Sequence, residues 1–405
     1  MKRNRWLLFI VLYISAFAVS ASQLKIVPVL GDLAAGMEIS LTQTSFLMSV
    51  FTIAGIILAI PGGALLNKIG PKKLLLFLLG SLIIGNLLGA FFYSNYPVFL
   101  ISRIIEGIAF SMIIMTGIVF ISEWFAGGKV GLAIGVFTTF PGAASAVFMN
   151  ASVPISNAFG MGSLWIIVGA LSIITFILVS LVIKQPAAEE AIADGTAGPS
   201  QKMLEKPSVG AAISNSKMWI LAICQGCVAF VLFTFITIYP TMFQDFYNLE
   251  VTTANFYAGL NGLFGIPFCI IAGIIIDKTG KPALLTLYSF ILMAFTCFIT
   301  AVLGPKTYVL HTLLIAISCG FVIPAVLAIA PSIAKKPILI GYTVAFINMI
   351  YYVGIFIGAP VILAAVASSG WQTAANILGL VAIIGIIFSI IYLLISRKKV
   401  AAKQQ

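Results

Sequence analysis

Three ionisable side chains interrupt long apolar stretches of the sequence: Lys25, Arg103 and Glu106. A charged side chain is costly inside a membrane segment, so by default it marks a functional position. Lysine and arginine bind anions, and the arginine fork matches the planar geometry of a carboxylate. Arg103 and Glu106 lie three residues apart on one helical face, where Glu106 is the best candidate for a proton-exchanging group. The alternatives are a structural Arg103–Glu106 ion pair and a Lys25 side chain that extends to the outer membrane surface.

Polar groups in the second half of the chain are candidates for contacts with a solute. Asn348 and Tyr352 are four residues apart and share a helical face, so their amide and phenol would hydrogen-bond a small polar solute. Hydrogen bonds between helices are the alternative for both residues. His311 is the single histidine and begins an apolar run. It faces either a central cavity or the membrane interface.

The composition identifies an integral membrane protein. The 405 residues are 61% hydrophobic and 8% charged, with a mean hydropathy of +1.17, whereas soluble domains are roughly 45–50% apolar and about 25% charged. All five cysteines lie in apolar runs and predict no disulfide framework. The sequence has one histidine, no His-Glu-x-x-His and no Gly-x-x-x-x-Gly-Lys-Ser/Thr loop. We therefore expect no enzyme activity, no cofactor and no metal site.

Twelve apolar runs are long enough to cross a bilayer, which takes about 20 helical residues. They cover approximately residues 6–30, 42–66, 74–93, 97–121, 130–150, 160–183, 217–240, 253–276, 283–303, 308–330, 338–364 and 372–396. Barrel strands would show short alternating segments instead. The predicted fold is therefore all-α, with twelve transmembrane helices in two pseudo-symmetric six-helix halves. We place these halves at 1–183 and 217–405, joined by a polar cytoplasmic linker at 184–216.

Basic residues fall on one side of this arrangement. Of the 22 Lys and Arg residues, all but Lys25, Arg103 and Lys306 lie in segments that share one face of the membrane. By the positive-inside rule this face is cytoplasmic, which puts both termini in the cytoplasm. The net charge of +11 therefore reflects membrane orientation. We expect contact with membrane lipid and none with nucleic acid.

One short pattern occurs twice, about half the chain apart. Each copy has a glycine, three apolar residues, Asn or Asp, Lys, any residue and a second glycine. The two copies contain Gly63, Asn67, Lys68 and Gly70, and Gly273, Asp277, Lys278 and Gly280. The repetition indicates two related halves, and a duplicated membrane protein is most often a transporter.

This repeated motif, with twelve spans and a long central loop, resembles the pattern of the major facilitator superfamily over essentially the whole chain. The resemblance implies that the motif locks a cytoplasmic gate that opens during transport. Asn67 stands where that family usually has aspartate, whereas Asp277 keeps the acid in the second half. Arg103 followed by Gly107 is similar to the family's fourth-span motif, whose arginine is usually linked to substrate or proton coupling.

Two shorter segments are similar to the cyanate and nitroimidazole branch of this superfamily. Gln23-Leu24-Lys25 resembles the Asn-Leu-Arg of its first span, and the segment from Asn348 to Pro360 resembles its eleventh span. The resemblance implies a small anionic or small polar solute. The charges in the spans favour an anion independently, because cations outnumber carboxylates there.

We therefore expect a monomeric, multi-pass secondary transporter of the cytoplasmic membrane that moves a small, monovalent organic anion by alternating access. The predicted site comprises the substrate-binding residues Lys25, Arg103, His311, Asn348 and Tyr352, and the proton-coupling residue Glu106. His311 is an alternative proton carrier, and both proton symport and anion exchange remain open. The alternative functions are proton-coupled export of drugs or other hydrophobic compounds, and a non-transporting receptor.

Overall fold

The computed structural model describes residues 5–39, 41–183, 209–300, 302 and 307–401. This part of the chain is almost entirely helical and contains no β-strand. The helices are α1 Arg5–Leu24, α2 Leu30–Gly36, α3 Leu41–Phe92, α4 Tyr96–Trp124, α5 Val130–Phe137, α6 Phe140–Phe159, α7 Ser163–Val182, α8 Val209–Ile213, α9 Ser216–Tyr247, α10 Val251–Thr279, α11 Pro282–Ile299, α12 Tyr308–Ile333 and α13 Ile340–Ala401. Short 3-10 turns at Val27–Val29 and Pro337–Leu339 precede α2 and α13.

Ten helical stretches in the described ranges are long and apolar enough to cross a membrane. Two of them, in α3 and α13, each contain one glycine with a non-helical backbone: Gly70 (φ 80°, ψ 164°) and Gly370 (φ 79°, ψ 176°). This backbone conformation is essentially restricted to glycine. Each of these helices therefore bends at its glycine and supplies two crossings. The described chain thus holds twelve crossing segments, which confirms the predicted all-α membrane fold.

Large apolar side chains cover the outside of the helical bundle. Phe91 is 74% exposed, Leu181 is 70% exposed and Ile57 is 65% exposed. Apolar surface of this extent is unusual on a protein surrounded by water. It is expected where the helices face lipid.

The helices form two packed groups that meet mainly along two seams. Helices α1 to α7 pack on one another, and so do helices α9 to α13. In one seam α5 and α6 contact α10, and in the other α3 and α4 contact α13. Most of the predicted linker 184–216 lies outside the described residues, and the boundaries of the two halves stay a prediction.

Glycines allow α5 and α10 to approach closely. A Cβ added at Gly135 would collide with the carbonyl oxygen of Cys269, and one added at Gly273 would collide with the carbonyl of Gly131. Helices in lipid gain little from the hydrophobic effect, so they associate through close packing of small residues. This packing brings Asp277 of α10 next to the start of α5.

Candidate functional site

Glu106 of α4 lies between two cations in the interior of the first group of helices. Its Oε1 is 2.9 Å from Nζ of Lys25, and its Oε2 is 2.6 Å from Nη1 of Arg103. All three side chains are fully buried. We call these residues the charge cluster. Because two cations share one carboxylate, the charge cluster carries one net positive charge when all three groups are ionised.

The end of α1 positions both cations. Helix α1 ends immediately before Lys25, so the carbonyls of its last turn have no partner within the helix. Arg103 donates to two of these carbonyls, from Nη1 to Ser22 at 2.8 Å and from Nη2 to Gln23 at 3.3 Å. Cations also complement the negative end of a helix dipole. The end of α1 therefore fixes the guanidinium of Arg103 and brings Lys25 next to Glu106.

Asn86 of α3 completes the polar shell around the lysine. Lys25 Nζ donates to Asn86 Oδ1 at 2.6 Å and to Ser22 Oγ at 3.1 Å, in addition to Glu106. Asn86 Nδ2 in turn donates to Ser22 Oγ at 3.2 Å and to the carbonyl of Leu82 at 2.8 Å. All three donors of the ammonium group are therefore engaged. Asn86 is not among the site residues predicted from the sequence. The feature that could have identified it is an isolated amide within an apolar run.

Aromatic rings enclose the charge cluster. The Cζ of Arg103 lies 4.4 Å from the ring centroid of Phe51, and Nζ of Lys25 lies 5.0 Å from that of Trp165. Such cation–π contacts contribute about 0.5–2 kcal/mol each. The Nε of Arg103 is buried and has no acceptor within the described part of the chain. The Nε–H of the guanidinium is therefore not used by the protein.

An aromatic stack links the charge cluster to the second group of helices. Phe51, which lies against Arg103, contacts Phe110 at 5.2 Å between ring centroids, and Phe110 contacts Tyr352 of α13 at 5.3 Å. The Tyr352 hydroxyl donates to the carbonyl of Phe110 at 2.8 Å. A Cβ added at Gly55 would meet the Tyr352 ring, so this glycine makes room for it. The Tyr352 hydroxyl thus bridges the two groups of helices.

Asn348 lies one helical turn before Tyr352 on the same face of α13. Its side chain is buried, and neither Oδ1 nor Nδ2 has a hydrogen-bond partner in the described chain. A buried, unpaired polar group costs about 1–3 kcal/mol. A ligand that hydrogen-bonds this amide would remove the penalty.

His311 lies apart from the charge cluster, in the second group of helices. Its Nδ1 is 3.0 Å from the Tyr239 hydroxyl, and its Nε2 is 2.9 Å from Thr300 Oγ1 and 3.2 Å from the carbonyl of Thr296. Both ring nitrogens therefore have protein partners. The described contacts do not bring His311 together with the cations of the first half.

Asp277, in the second copy of the repeated motif, connects the two groups of helices. The backbone N–H of Gly131 donates to its Oδ1 at 2.7 Å, and that of Leu132 donates to its Oδ2 at 2.8 Å. The N–H groups in the first turn of a helix have no partner within the helix, and a carboxylate there complements the positive end of the helix dipole. Lys129 precedes α5 in a left-handed conformation (φ 64°) and provides no side-chain cap. Asp277 therefore caps α5 across the seam.

The first copy of the motif makes a different contact across the other seam. The Tyr342 side chain of α13 lies next to that of Asn67, whose Nδ2 has no hydrogen-bond partner among the described residues. A Cβ added at Gly63 would collide with the Tyr342 ring. Tyr342 of α13 therefore packs against the first copy of the motif. In both copies of the motif the lysine is exposed, at Lys68 and Lys278. The closing glycine has a positive φ in both, at Gly70 and Gly280.

Comparisons with known proteins agree with this architecture. The chain matches the family model of the Major Facilitator Superfamily over residues 8–359. A probable L-galactonate transporter of Escherichia coli K12 is 25% identical over 266 residues, which cover 60% of this chain and 55% of that protein. The match thus spans about half the length of that relative.

Solved structures show the same fold at low sequence identity. The Escherichia coli fucose:proton symporter FucP, in its outward conformation, has a TM-score of 0.76 at 15% identity, covering 95% of this chain and 98% of that chain. The human organic anion transporter TETRAN has a TM-score of 0.74 at 12% identity, covering 96% of this chain and 100% of that chain.

The charge cluster predicts an asymmetric response to removal of its members. Glu106→Met leaves two buried cations without a counterion, whereas Lys25→Met leaves the neutral Arg103–Glu106 pair. Removal of one partner from a buried pair costs about 3–5 kcal/mol when it leaves a charge uncompensated. We therefore expect purified Glu106→Met protein to have a clearly lower melting temperature than purified Lys25→Met protein. Ser111→Ala, which removes only a bond to the same helix's backbone, is the control. Equal melting temperatures for the two variants would contradict the account in which two cations of the charge cluster share one carboxylate.

The Asp277 cap predicts the behaviour of the buried Cys269 thiol, which lies at the same seam. In a background without the other four cysteines, we expect Asp277→Ala to accelerate maleimide labelling of Cys269 about tenfold or more. The reason is that each hydrogen bond to a charged group contributes roughly 1.5–3 kcal/mol, and about 1.4 kcal/mol is tenfold in an equilibrium. Lys278→Ala, at the neighbouring exposed residue, is the matched control. Equal labelling rates in both variants would show that Asp277 does not hold the seam.

Proposed function

Because the chain belongs to the major facilitator superfamily, a family of membrane transporters rather than enzymes, we propose that it carries a small, monovalent organic anion across the cytoplasmic membrane. The two halves would rock about a site between them, so that the site opens to each side in turn. The coupled ion would be a proton, carried by Glu106.

The observation that carries this proposal is the net charge of the charge cluster. Among the described residues, Lys25, Arg103 and Glu106 are the fully buried lysine, arginine and carboxylate side chains. Charges at membrane depth are expensive unless they are paired, and here one positive charge has no protein counterion. This positive charge would attract a carboxylate substrate, and the unused Nε–H of Arg103 would supply a hydrogen-bond donor to it.

The same geometry suggests how a proton and an anion would bind together. When Glu106 is ionised, one of its oxygens forms an ion pair with Lys25 and the other with Arg103. Protonation of Glu106 would weaken both ion pairs and leave Lys25 and Arg103 free to accept the carboxylate of a substrate. The site would carry one net positive charge before and after this exchange, because the proton and the anion add no net charge. This favours proton symport over simple anion exchange.

The remaining predicted residues take their roles in the proposal from their contacts. The unpaired amide of Asn348, which lies nearer the cytoplasmic side than the charge cluster, would hydrogen-bond the solute as it passes between the cluster and the cytoplasm. Tyr352 would act at the interface of the halves, since its hydroxyl already binds the carbonyl of Phe110. His311 would bind substrate only after releasing Tyr239 or its other partners. The Asp277 contact would have to open when the site faces the cytoplasm.

Further support comes from the relatives and from the distribution of charge. A transporter of L-galactonate, as the Escherichia coli relative is named, handles an organic anion. The alternative of a proton-coupled exporter of hydrophobic compounds finds less support, because a cation-selective exporter would be expected to have unpaired acids in its spans. The monomeric state is a further part of the proposal, and so is the cytoplasmic position of both termini, which rests on the distribution of Lys and Arg residues.

The test is uptake into proteoliposomes, with Glu106→Gln as the informative variant. Galactonate, gluconate, lactate and formate are offered with an inward proton gradient, and we expect at least one to accumulate in wild type. The neutral amide introduced by this substitution would resemble a permanently protonated glutamate. We therefore expect Glu106→Gln to retain exchange of the labelled anion but to lose its accumulation by the proton gradient and its dependence on pH.

Two controls make this test decisive. Lys25→Gln removes one cation and is expected to raise the half-saturating concentration of the anion at least tenfold, since ion pairs of this kind contribute roughly 1.5–3 kcal/mol. Ser111→Ala is expected to transport as wild type does. Transport of hydrophobic cationic dyes, unaffected by Lys25→Gln and without uptake of any carboxylate, would replace this proposal with the exporter.

A further inference from the structure

Two buried amides in the described chain have neither polar atom paired: Asn348 of α13 and Asn261 of α10. Asn261 is 2% exposed and has no part in the charge cluster or in the repeated motif. Buried polar groups without a protein partner are rare and call for a specific explanation. A ligand that pairs with the amide is such an explanation.

Asn261 lies where the second half meets the first. Its neighbour Gly262 packs so closely on α6 that an added Cβ would meet the side chain of Ser145. Tyr257, one turn before Asn261, contacts the Tyr308 ring of α12 at 4.7 Å between centroids. Asn261 is therefore at the edge of α10 that adjoins both the first half and α12. Transporter sites lie at such an interface between repeats.

The depth of Asn261 matches that of the charge cluster. Along its helix Asn261 is about 27 Å from Thr279, and along α4 Glu106 is about 27 Å from Trp124, at 1.5 Å per residue. Both of these helix ends are on the predicted cytoplasmic side. Asn348 is only about 12 Å from the cytoplasmic start of α13. Of the two unpaired amides, Asn261 is thus the one level with the cations.

The chemistry of the amide restricts what it binds. Its Oδ1 accepts hydrogen bonds and its Nδ2 donates two. An apolar group would leave both Oδ1 and Nδ2 without a hydrogen-bond partner. A carboxylate only accepts hydrogen bonds, so it would leave Oδ1 without a donor. A hydroxyl group both donates and accepts, so it satisfies both ends of the amide.

We infer that Asn261 binds a hydroxyl group of the transported anion, and hence that the substrate is a hydroxycarboxylate. This inference rests on the proposed function, in which the cations of the first half bind the carboxylate. The carboxylate end of the substrate faces Lys25 and Arg103, and the hydroxyl end faces Asn261 of the second half. A substrate held at both ends connects the two halves, whereas a simple carboxylate lacks the contact with Asn261.

The experiment compares acids of equal carbon number with and without hydroxyls: gluconate against hexanoate, and lactate against propionate. Each competes for uptake of a labelled carboxylate into proteoliposomes. For wild type we expect the hydroxylated member of at least one pair to compete about tenfold better, because one net hydrogen bond is worth roughly that factor. Asn261→Leu keeps the size of the side chain and is expected to abolish the preference while competition by the unhydroxylated acid persists.

A melting measurement separates a binding role from a structural one. Removal of an unpaired buried amide in favour of an apolar side chain of similar size is neutral or stabilising, so we expect Asn261→Leu to melt at or above the wild-type temperature. A clear loss of stability would overturn the inference, because Asn261 would then have a structural partner. An unchanged preference for the hydroxylated acid in Asn261→Leu would overturn it as well.

The outcomes also distinguish this inference from the proposed function. If wild type binds hydroxylated and unhydroxylated acids equally, the inference is wrong and the anion transporter stands. If no carboxylate competes or is taken up, both are wrong. If the preference exists and depends on Asn261, both are supported.

Discussion

The sharing of one carboxylate by two cations is the constraint on which the rest of the first half depends. In a low-dielectric interior an isolated charge is hardly tolerated, so Lys25, Arg103 and Glu106 must stay together. Their arrangement requires α1 to end where it does, since the freed carbonyls of α1 hold Arg103. It also requires Asn86 on α3 to accept from Lys25. One net positive charge remains, and the proposed chemistry follows from it.

The two halves contact each other through groups that are able to separate. Near the middle of the membrane, Tyr352 donates to the carbonyl of Phe110, which joins the second half to the aromatic stack beside Arg103. Towards the predicted cytoplasmic side, Asp277 caps α5 and Tyr342 contacts Asn67. The Tyr352 and Asp277 contacts are hydrogen bonds between rigid helices, and their exchange for other partners requires no unfolding. Rocking of one half against the other is therefore compatible with this set of contacts.

Local features of the sequence were sufficient to predict the fold and only part of the site. Apolar length, charge asymmetry and the repeated motif are readable along the chain, and so is the Arg103–Glu106 pair, because its members are three residues apart. The Lys25–Glu106 contact joins residues 81 positions apart, and the sequence does not show that they meet. Two predictions for Lys25 were therefore open: a buried, anion-binding position, or a side chain that extends to the membrane surface. The hydroxyl of Tyr352 binds a backbone carbonyl, a partner for which the sequence has no signal. His311 is a candidate from the sequence because it is the single histidine and begins an apolar run, but both of its ring nitrogens have partners within the second half.

The central claim is that a proton on Glu106 and an anion on the two cations bind together and leave the charge of the site unchanged. The most direct measurement records membrane current and internal pH in the same proteoliposomes after a jump in the concentration of a transported carboxylate. We expect internal acidification of one proton per anion with no net current. An inward movement of negative charge, or uptake of the anion without acidification, would contradict the claim.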